Sequence, residues 1–338
     1  MHISLDATYS LGPNPTGVGV YSREILFGML AAHPEARFSF CYRPKQYFRG
    51  LYQNRRARAE ARFLTGTPPG DLFHAPNQRV DNPGRRTVCT FHDLFVMTSE
   101  YSSTEFRARF TQFARDAAAR SDLLIAVSRF TASQIEALLK VDPSRIRVIP
   151  HGVHQRAQSP VPREKLVLSV GAIQTRKNTA RLVRAFERMP KGWRLALAGS
   201  ADGYGAAEEL KSVEQSQQRA AIDVLGYVAT AELESLYRRA SLFAFPSLDE
   251  GFGMPILDAM AHGVPVITSN VSAMPEVAGD AALLVDPLSQ DSIADALLRL
   301  ASDDVLRADL TQRGLDRARE FTWSSAVEQT WSVYTEIA

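Results

Sequence analysis

Two carboxylates eight residues apart, Glu250 and Asp258, bracket the run Gly251-Phe-Gly-Met-Pro-Ile-Leu257. Pro255 suits the first turn of a helix, where a missing N–H costs nothing, and Gly263 suits the position just past its end. The spacing predicts a short helix over about 255–262 and a buried strand over Val264–Thr268 behind it. Gly251 and Gly253 allow backbone to approach a ligand closely, and a helix N-terminus preceded by small residues is a ready anion site. Carboxylates on either side of that start can grip hydroxyls while the helix end holds phosphate. A nucleotide sugar carries both groups.

Arg176-Lys177-Asn178 follows a strand-like run, Leu166–Val170, and a short loop from Gly171, and opens a helix over Thr179–Glu187. Adjacent guanidinium and ammonium groups offer donors to the several oxygens of a diphosphate. An exposed basic pair is the alternative, and the shared position with Glu250 favours the ligand. Gly17-Val-Gly19 is an incomplete dinucleotide fingerprint. Ser22 takes the third glycine position, and Arg43 rather than an acid ends the next strand, which disfavours a nicotinamide dehydrogenase. The loop reads instead as backbone N–H groups close to a ligand. His92 ends the strand Thr87–Phe91, where a histidine can bind hydroxyls or act in catalysis, whereas His151 and His154 read as structural. No Cys/His/Asp spacing resembles a zinc site, and no Gly-x-Ser-x-Gly elbow is present. Asp303-Asp304 reads as a helix cap.

The elements that must position these groups alternate as in a parallel α/β sheet. Strands are predicted over His2–Ala7, Phe38–Tyr42, Leu72–His74, Thr87–Phe91, Leu123–Ala126 and Arg147–Ile149, with helices over Val20–Ala32 and Thr104–Arg120. The polar, proline-bearing stretch Gln155–Glu164 reads as a linker. Strands then resume over Leu166–Val170, Leu195–Ala198, Ile222–Leu225, Leu242–Phe245, Val264–Thr268 and Ala282–Val285. Two doubly wound halves follow. Ligands bind beyond the carboxyl ends of such strands, where the polar clusters of both halves lie, so a cleft between domains is expected.

The 338 residues suffice for two domains, and 45% hydrophobic with 22% charged residues describes a soluble globular chain. No apolar run approaches the ~18 residues of a membrane span, and no N-terminal signal is seen, so a cytoplasmic protein with two reduced buried thiols, Cys41 and Cys89, is expected. Net charge is +2, but Arg43–Arg62 holds seven basic residues against Glu60 alone, interleaved with Tyr42, Tyr47, Phe48 and Tyr52. Such a patch attracts anionic lipid headgroups, a lipid-linked diphosphate or nucleic acid; a solvated basic helix and loop is the alternative.

The run Glu250-Gly-Phe-Gly-Met-Pro…Ala-Met-Ala-His-Gly-Val-Pro-Val-Ile-Thr-Ser-Asn270, followed by Met274-Pro-Glu-Val-Ala-Gly-Asp-Ala-Ala-Leu-Leu-Val-Asp-Pro287, resembles the donor half of retaining glycosyltransferases of the GT-B fold, family 4. Ser169–Asn178, Leu225–Val228, Ala126–Phe130 and Val148–Val153 match as well, so the resemblance covers about 120–335. The N-terminal third matches at Thr16–Tyr21 and Phe91–Leu94.

The resemblance implies an α/β chain of two doubly wound Rossmann-like domains with an interdomain cleft. Residues 1–157 would form the acceptor domain, completed by a last helix at about 324–338, and residues 163–320 the nucleotide-sugar domain. Arg176 and Lys177 would neutralise the leaving diphosphate, Glu250 would hold sugar hydroxyls, and His92 would lie near the sugar and acceptor. Donor-binding positions implied are Gly17, Gly171, Gly226, Tyr227, Gly251, Phe252, Gly253, Met254 and Asp258. The family pattern has glutamate where Asp258 stands, on the ribose hydroxyls. The implied activity is metal-independent retaining hexosyl transfer without a cofactor, most like bacterial mannosyltransferases, hence GDP-mannose as donor. Alternatives are a UDP-sugar donor or a non-catalytic sugar-nucleotide binding protein. Implied partners are a glycan or lipid-linked acceptor and the inner membrane surface through Arg43–Arg62, with no nucleic acid.

Overall fold

The computed structural model describes residues 1–12, 17–156 and 162–338. Thr16, from the expected glycine loop, and residues 157–161, from the expected linker, lie outside them. The described residues divide into two compact units: residues 1–98, 104–152 and 321–338 form one, and residues 99–103 and 153–320 the other.

In the first unit the described residues build a seven-stranded, wholly parallel sheet from β1 (His2–Asp6), β2 (Arg37–Tyr42), β3 (Glu60–Phe63), β4 (Leu72–Ala75), β5 (Thr87–Phe91), β6 (Leu123–Ala126) and β7 (Ile146–Val148). The spatial order is β3-β2-β1-β4-β5-β6-β7. Parallel strands covered on both faces read as continuous apolar runs, and all five residues of β5 and all four of β6 are buried. Strand β3 departs from this pattern: Glu60-Ala-Arg-Phe63 sits at the sheet edge, half in solvent, and Glu60 pairs with Arg37 and Arg62. Its charges suit an edge strand and hide it from hydrophobicity. The final helix, Trp323–Ile337, also belongs to this unit. A Cβ on Gly28 would come within 2.4 Å of Val327 Cγ2, so any larger residue there would have to displace that side chain. Tyr334 Oη and His74 Nδ1 lie 2.6 Å apart, and His74 Nε2 lies 2.9 Å from Thr90 Oγ1.

In the second unit β8 (Glu164–Val170), β9 (Arg194–Ala198), β10 (Ile222–Gly226), β11 (Ala240–Phe245), β12 (Val266–Ser269) and β13 (Ala282–Val285) form a parallel sheet ordered β10-β9-β8-β11-β12-β13. Its core gathers Val167, Phe186, Trp193, Leu242, Ile267 and Leu297. In each sheet the order reverses between the first and fourth strands, β1/β4 and β8/β11. That switch point opens a crevice at the strands' carboxyl ends. The helix predicted at about 255–262 spans Met254–Ala261, and Asp303 caps the helix Asp304–Arg319 by accepting from Leu306 N.

Cys41 and Cys89 are both free and buried, and burial pushes the Cys41 thiol up to about 12. The basic Arg43–Arg62 run is not uniformly solvated. Arg43 turns inward to Asp6 at 3.2 Å and Asp81 at 2.8 Å, so it does not join the surface patch. The short helix Tyr47–Gln53 leaves Phe48, Leu51 and Tyr52 exposed.

Candidate active site

The carboxyl ends of β8 and β11 bring Arg176, Lys177 and Glu250 together in the second unit. After β8 the chain passes Gly171 and makes a single 3-10 turn, Thr175–Lys177. Asn178 ends the turn in the left-handed conformation (φ 60°), which asparagine tolerates better than most residues. Its Nδ2 donates to the Pro246 and Pro287 carbonyls at 2.9 and 2.7 Å, tying the turn to the loop after β11. Leu248 N donates to the Arg176 carbonyl at 2.8 Å, which closes a frame around both basic side chains.

Within that frame Lys177 Nζ donates to Glu250 Oε1 at 2.5 Å, and Arg176 Nη1 lies 2.7 Å from Oε2. All three residues are largely buried; only 11% of the Glu250 side chain is exposed. Burial alone would raise the Glu250 pKa, but the Arg176 and Lys177 charges outweigh it and hold the carboxyl at about 2. Glu250 is therefore ionised across the physiological range. Lys177 Nζ also lies 4.4 Å from the Phe245 ring centroid, an attractive placement for a cation. The two cations and the carboxylate, read from the sequence as serving different ligand groups, are partners of one another.

The glutamate loop is held by residues that no motif had marked. Glu250 N donates to Ser272 Oγ at 3.1 Å, and Ser272 adopts φ 54°, a strained value for serine. Gly253, at φ 102°, turns the chain into the helix that Met254 begins. A side chain there would strain the backbone. Gly251, Phe252 and Gly253 are buried beside Glu250.

Asp258 stands apart from this ion-pair group, on the Met254–Ala261 helix. Burial raises its pKa to about 6, with Arg156 and His154 partly opposing the shift. The neighbouring His262 donates its Nδ1 proton to the Asp258 carbonyl at 2.7 Å and stacks on Tyr237 at 4.9 Å. The Tyr237 hydroxyl is buried with no hydrogen-bond partner. Gly226 ends β10 and Tyr227 follows it, exposed, with the Gly226 carbonyl accepting from Gly199 N at 2.8 Å.

In the first unit Gly17 begins the helix Gly17–Ala32. His92, just past β5, is buried and donates from Nε2 to the Pro76 carbonyl at 3.0 Å. A carbonyl only accepts, so Nε2 carries the proton and Nδ1 presents a lone pair. Burial lowers the His92 pKa to about 4, only partly countered by Pro76. The imidazole is therefore neutral near pH 7. It packs edge-on to Tyr21 at 4.8 Å and stacks on His151 at 5.3 Å. His151 is a buried packing partner of Tyr21 and Trp323. Among the described residues no group of three or more His, Cys, Asp or Glu could hold a metal ion, and no helix is long and apolar enough to cross a membrane.

Two families of known sequence match this chain. Residues 154–317 fit the glycosyl transferases group 1, and residues 42–156 fit glycosyltransferase family 4. The O-antigen chain mannosyltransferase B of Escherichia coli is 32% identical over 280 residues, covering 78% of this chain and 74% of that protein. The serotype-specific mannosyltransferase WbdA of Escherichia coli is 25% identical over 76% of this chain, which spans 34% of that longer protein. Among solved structures, sucrose-phosphate synthase from Thermosynechococcus elongatus superposes with a TM-score of 0.78 at 19% identity, over 99% of this chain and 98% of that one. The shared fold is GT-B, two Rossmann-like parallel-sheet domains. With both halves matched and a relative of that identity aligned over most of its length, the chain belongs to the group 1 glycosyltransferases of family 4.

Proposed function

We propose that this glycosyltransferase moves mannose from GDP-mannose to a hydroxyl of a glycan or lipid-linked acceptor, with retention of anomeric configuration. The observation that carries the reading is the buried Arg176–Lys177–Glu250 group at the β8/β11 switch point. The choice of mannose is supported by the O-antigen chain mannosyltransferase B likeness. As the bond from the anomeric carbon to the diphosphate oxygen breaks, negative charge builds on the leaving group. Arg176 and Lys177 are proposed to stabilise it in a dry site where such donors are most effective. The acceptor oxygen bonds to the anomeric carbon from the same face and passes its proton to the departing phosphate oxygen. Neither a protein base nor a metal ion takes part.

Glu250, ionised above about pH 2, is assigned to the hydroxyls of the transferred sugar, with the N–H groups of Phe252 and Gly253 nearby. Gly171 and Met254 complete that wall. Gly226 and Tyr227 are assigned to the base, Asp258 to the ribose, and Gly17 N–H and neutral His92 to the sugar and acceptor. A thermal-shift panel of GDP and UDP sugars tests the donor. A ligand at a hundred times its dissociation constant adds about 2.7 kcal/mol of stability. GDP-mannose should raise Tm most, and product NMR should show the retained anomer. If no nucleotide sugar raises Tm, the reading fails. A UDP sugar that wins replaces the donor, and tight binding without turnover on any acceptor leaves a binding protein.

Contact with an anionic membrane surface is proposed for the helix Tyr47–Gln53, whose exposed Phe48, Leu51 and Tyr52 lie among Lys45, Arg49, Arg55, Arg56 and Arg58. Aromatic rings at headgroup depth with flanking cations suit that role. Neutralising Arg55, Arg56 and Arg58 should release the protein from vesicles containing phosphatidylglycerol in co-sedimentation; unchanged binding removes the idea.

A further inference from the structure

The strand order β10-β9-β8 sets the carboxyl end of β9 between Lys177, which follows β8, and Tyr227, which follows β10. A nucleotide that reaches from one to the other passes over the loop after β9, residues 199–205. That loop is built onto the turn that carries the two cations, and its glycines are what let it lie there. A Cβ would come within 2.0 Å of the Gly171 carbonyl oxygen at Gly199, 2.4 Å of the Ile173 carbonyl oxygen at Gly203 and 2.0 Å of Thr175 Oγ1 at Gly205. Backbone hydrogen bonds complete the join. Ile173 N donates to the Ser200 carbonyl at 2.7 Å and Thr175 N to the Tyr204 carbonyl at 3.0 Å, while Gly199 N donates to the Gly226 carbonyl. The loop is thus tied on one side to the residue before Arg176 and on the other to the residue before Tyr227.

Tyr204 stands on this support 50% exposed, and its side chain makes no hydrogen bond or ring contact with the described residues. A lone exposed aromatic is ordinary; one whose backbone is fixed on both sides is better suited to a task. Its carbonyl is held by Thr175, and the next residue, Gly205, turns through φ 75° into the helix Ala206–Glu214. The neighbouring strand end offers a second exposed tyrosine, Tyr227, 52% exposed and preceded by Gly226 at φ 66°. Adjacent strands lie about 4.8 Å apart, so both tyrosines rise from one edge of the same crevice. Of the parts of a nucleotide sugar only the base is flat and aromatic, and it stacks on a tyrosine face without any matched hydrogen bond. A purine covers more of such a face than a pyrimidine and gains more from it.

We propose that Tyr204 determines base specificity, as a stacking platform beside Tyr227 that favours guanine over uracil. The inference rests on the donor reading and adds to it a residue and the physical origin of the base preference. Isothermal titration of the full chain with GDP, UDP and inorganic pyrophosphate tests it, on the wild type, Tyr204→Ala and Tyr204→Phe. The ring is half in solvent and has no side-chain contact to lose, so all three proteins should share one Tm without ligand. The wild type should bind GDP more tightly than UDP. Tyr204→Ala should lose about ten-fold or more in GDP affinity and less for UDP, which narrows the preference, while pyrophosphate binds as before. Tyr204→Phe keeps the aromatic face and should bind GDP as the wild type does. Unchanged GDP affinity in Tyr204→Ala overturns the inference and leaves the donor reading standing. Equal losses for GDP, UDP and pyrophosphate also overturn it, because the loop would then only support the Arg176 turn. So does a wild type that binds UDP as tightly as GDP. If neither nucleotide binds the wild type, the donor reading fails and the inference fails with it.

Discussion

Glu250→Gln isolates the charge that allows Arg176 and Lys177 to be buried. The carboxyl is held at about 2 in the folded protein against an ordinary 4.5. At about 1.4 kcal/mol per pH unit, that gap is worth roughly 3 kcal/mol. The depressed value means the unfolded chain binds the proton more tightly. The stabilisation is therefore complete above about pH 4.5 and is lost as pH falls towards 2. Glutamine keeps the shape and removes the charge, leaving two cations buried without their counter-ion. Breaking one partner of a buried pair costs about 3–5 kcal/mol. Urea unfolding of wild type and variant from about pH 7 down to about pH 3 measures the difference directly. It should be about 3 kcal/mol at neutral pH and shrink steadily below about pH 4.5. Saturating GDP should narrow it at neutral pH, because a diphosphate supplies the missing negative charge. A difference that is absent at pH 7, or constant across the range, refutes the ion-pair argument. GDP that stabilises only the wild type refutes the phosphate assignment.

Lys177→Ala should lower turnover by about 10²–10³-fold, as loss of a preorganised donor does elsewhere; an unchanged rate removes it from the leaving-group site. Asn178→Ala forfeits two buried hydrogen bonds and places alanine at φ 60°, so denaturant unfolding should show a loss of about 2–4 kcal/mol. Asp258 has its pKa raised by burial to about 6, which favours the folded state below its ordinary 3.8 and costs stability as pH rises through 6. Asp258→Asn should accordingly raise Tm at about pH 8, by the equivalent of roughly 1–3 kcal/mol, and leave it unchanged at about pH 4; a gain equal at both pH values denies the shift. Asp258→Glu should keep activity and donor affinity, and a large loss of GDP affinity would mean the pocket is built for the shorter side chain.

Strands buried on both faces were legible because their burial is written as an unbroken apolar run. Thr87–Phe91 and Leu123–Ala126 form over the residues that their sequences predict. Glu60–Phe63 was not legible, since an edge strand with charges to solvent carries no such run. Site residues divide in the same way. Glu250, Arg176 and Lys177 could be named from residue type and motif, but not their mutual pairing. Seventy-three residues separate Lys177 from Glu250, and only the strand order brings β8 and β11 side by side. Asn178 and Ser272 were missed as positioning residues because their work is a left-handed backbone and a hydrogen bond to a distant segment. Left-handed asparagine directly before a helix is a usable sequence signal for the first; serine in that conformation is not.

The second sheet repeats the order of the first six strands of the first, so the chain contains the same crevice twice, once at β1/β4 and once at β8/β11. Topology fixes where each crevice lies but not what it holds. After β8 and β11 the sequence places two cations and a carboxylate, whose mutual neutralisation makes their burial tolerable. After β1 and β4 it places tyrosine, asparagine and, from the following helix, three phenylalanines. Two cations line that second crevice as well: Arg79, paired with Asp81 and set over the Phe113 ring, and Arg109, set over the Phe106 ring. The difference in side chains at two equivalent positions, a buried ion-pair group at one and aromatic rings with a buried amide at the other, gives one strand order two crevices of different chemistry.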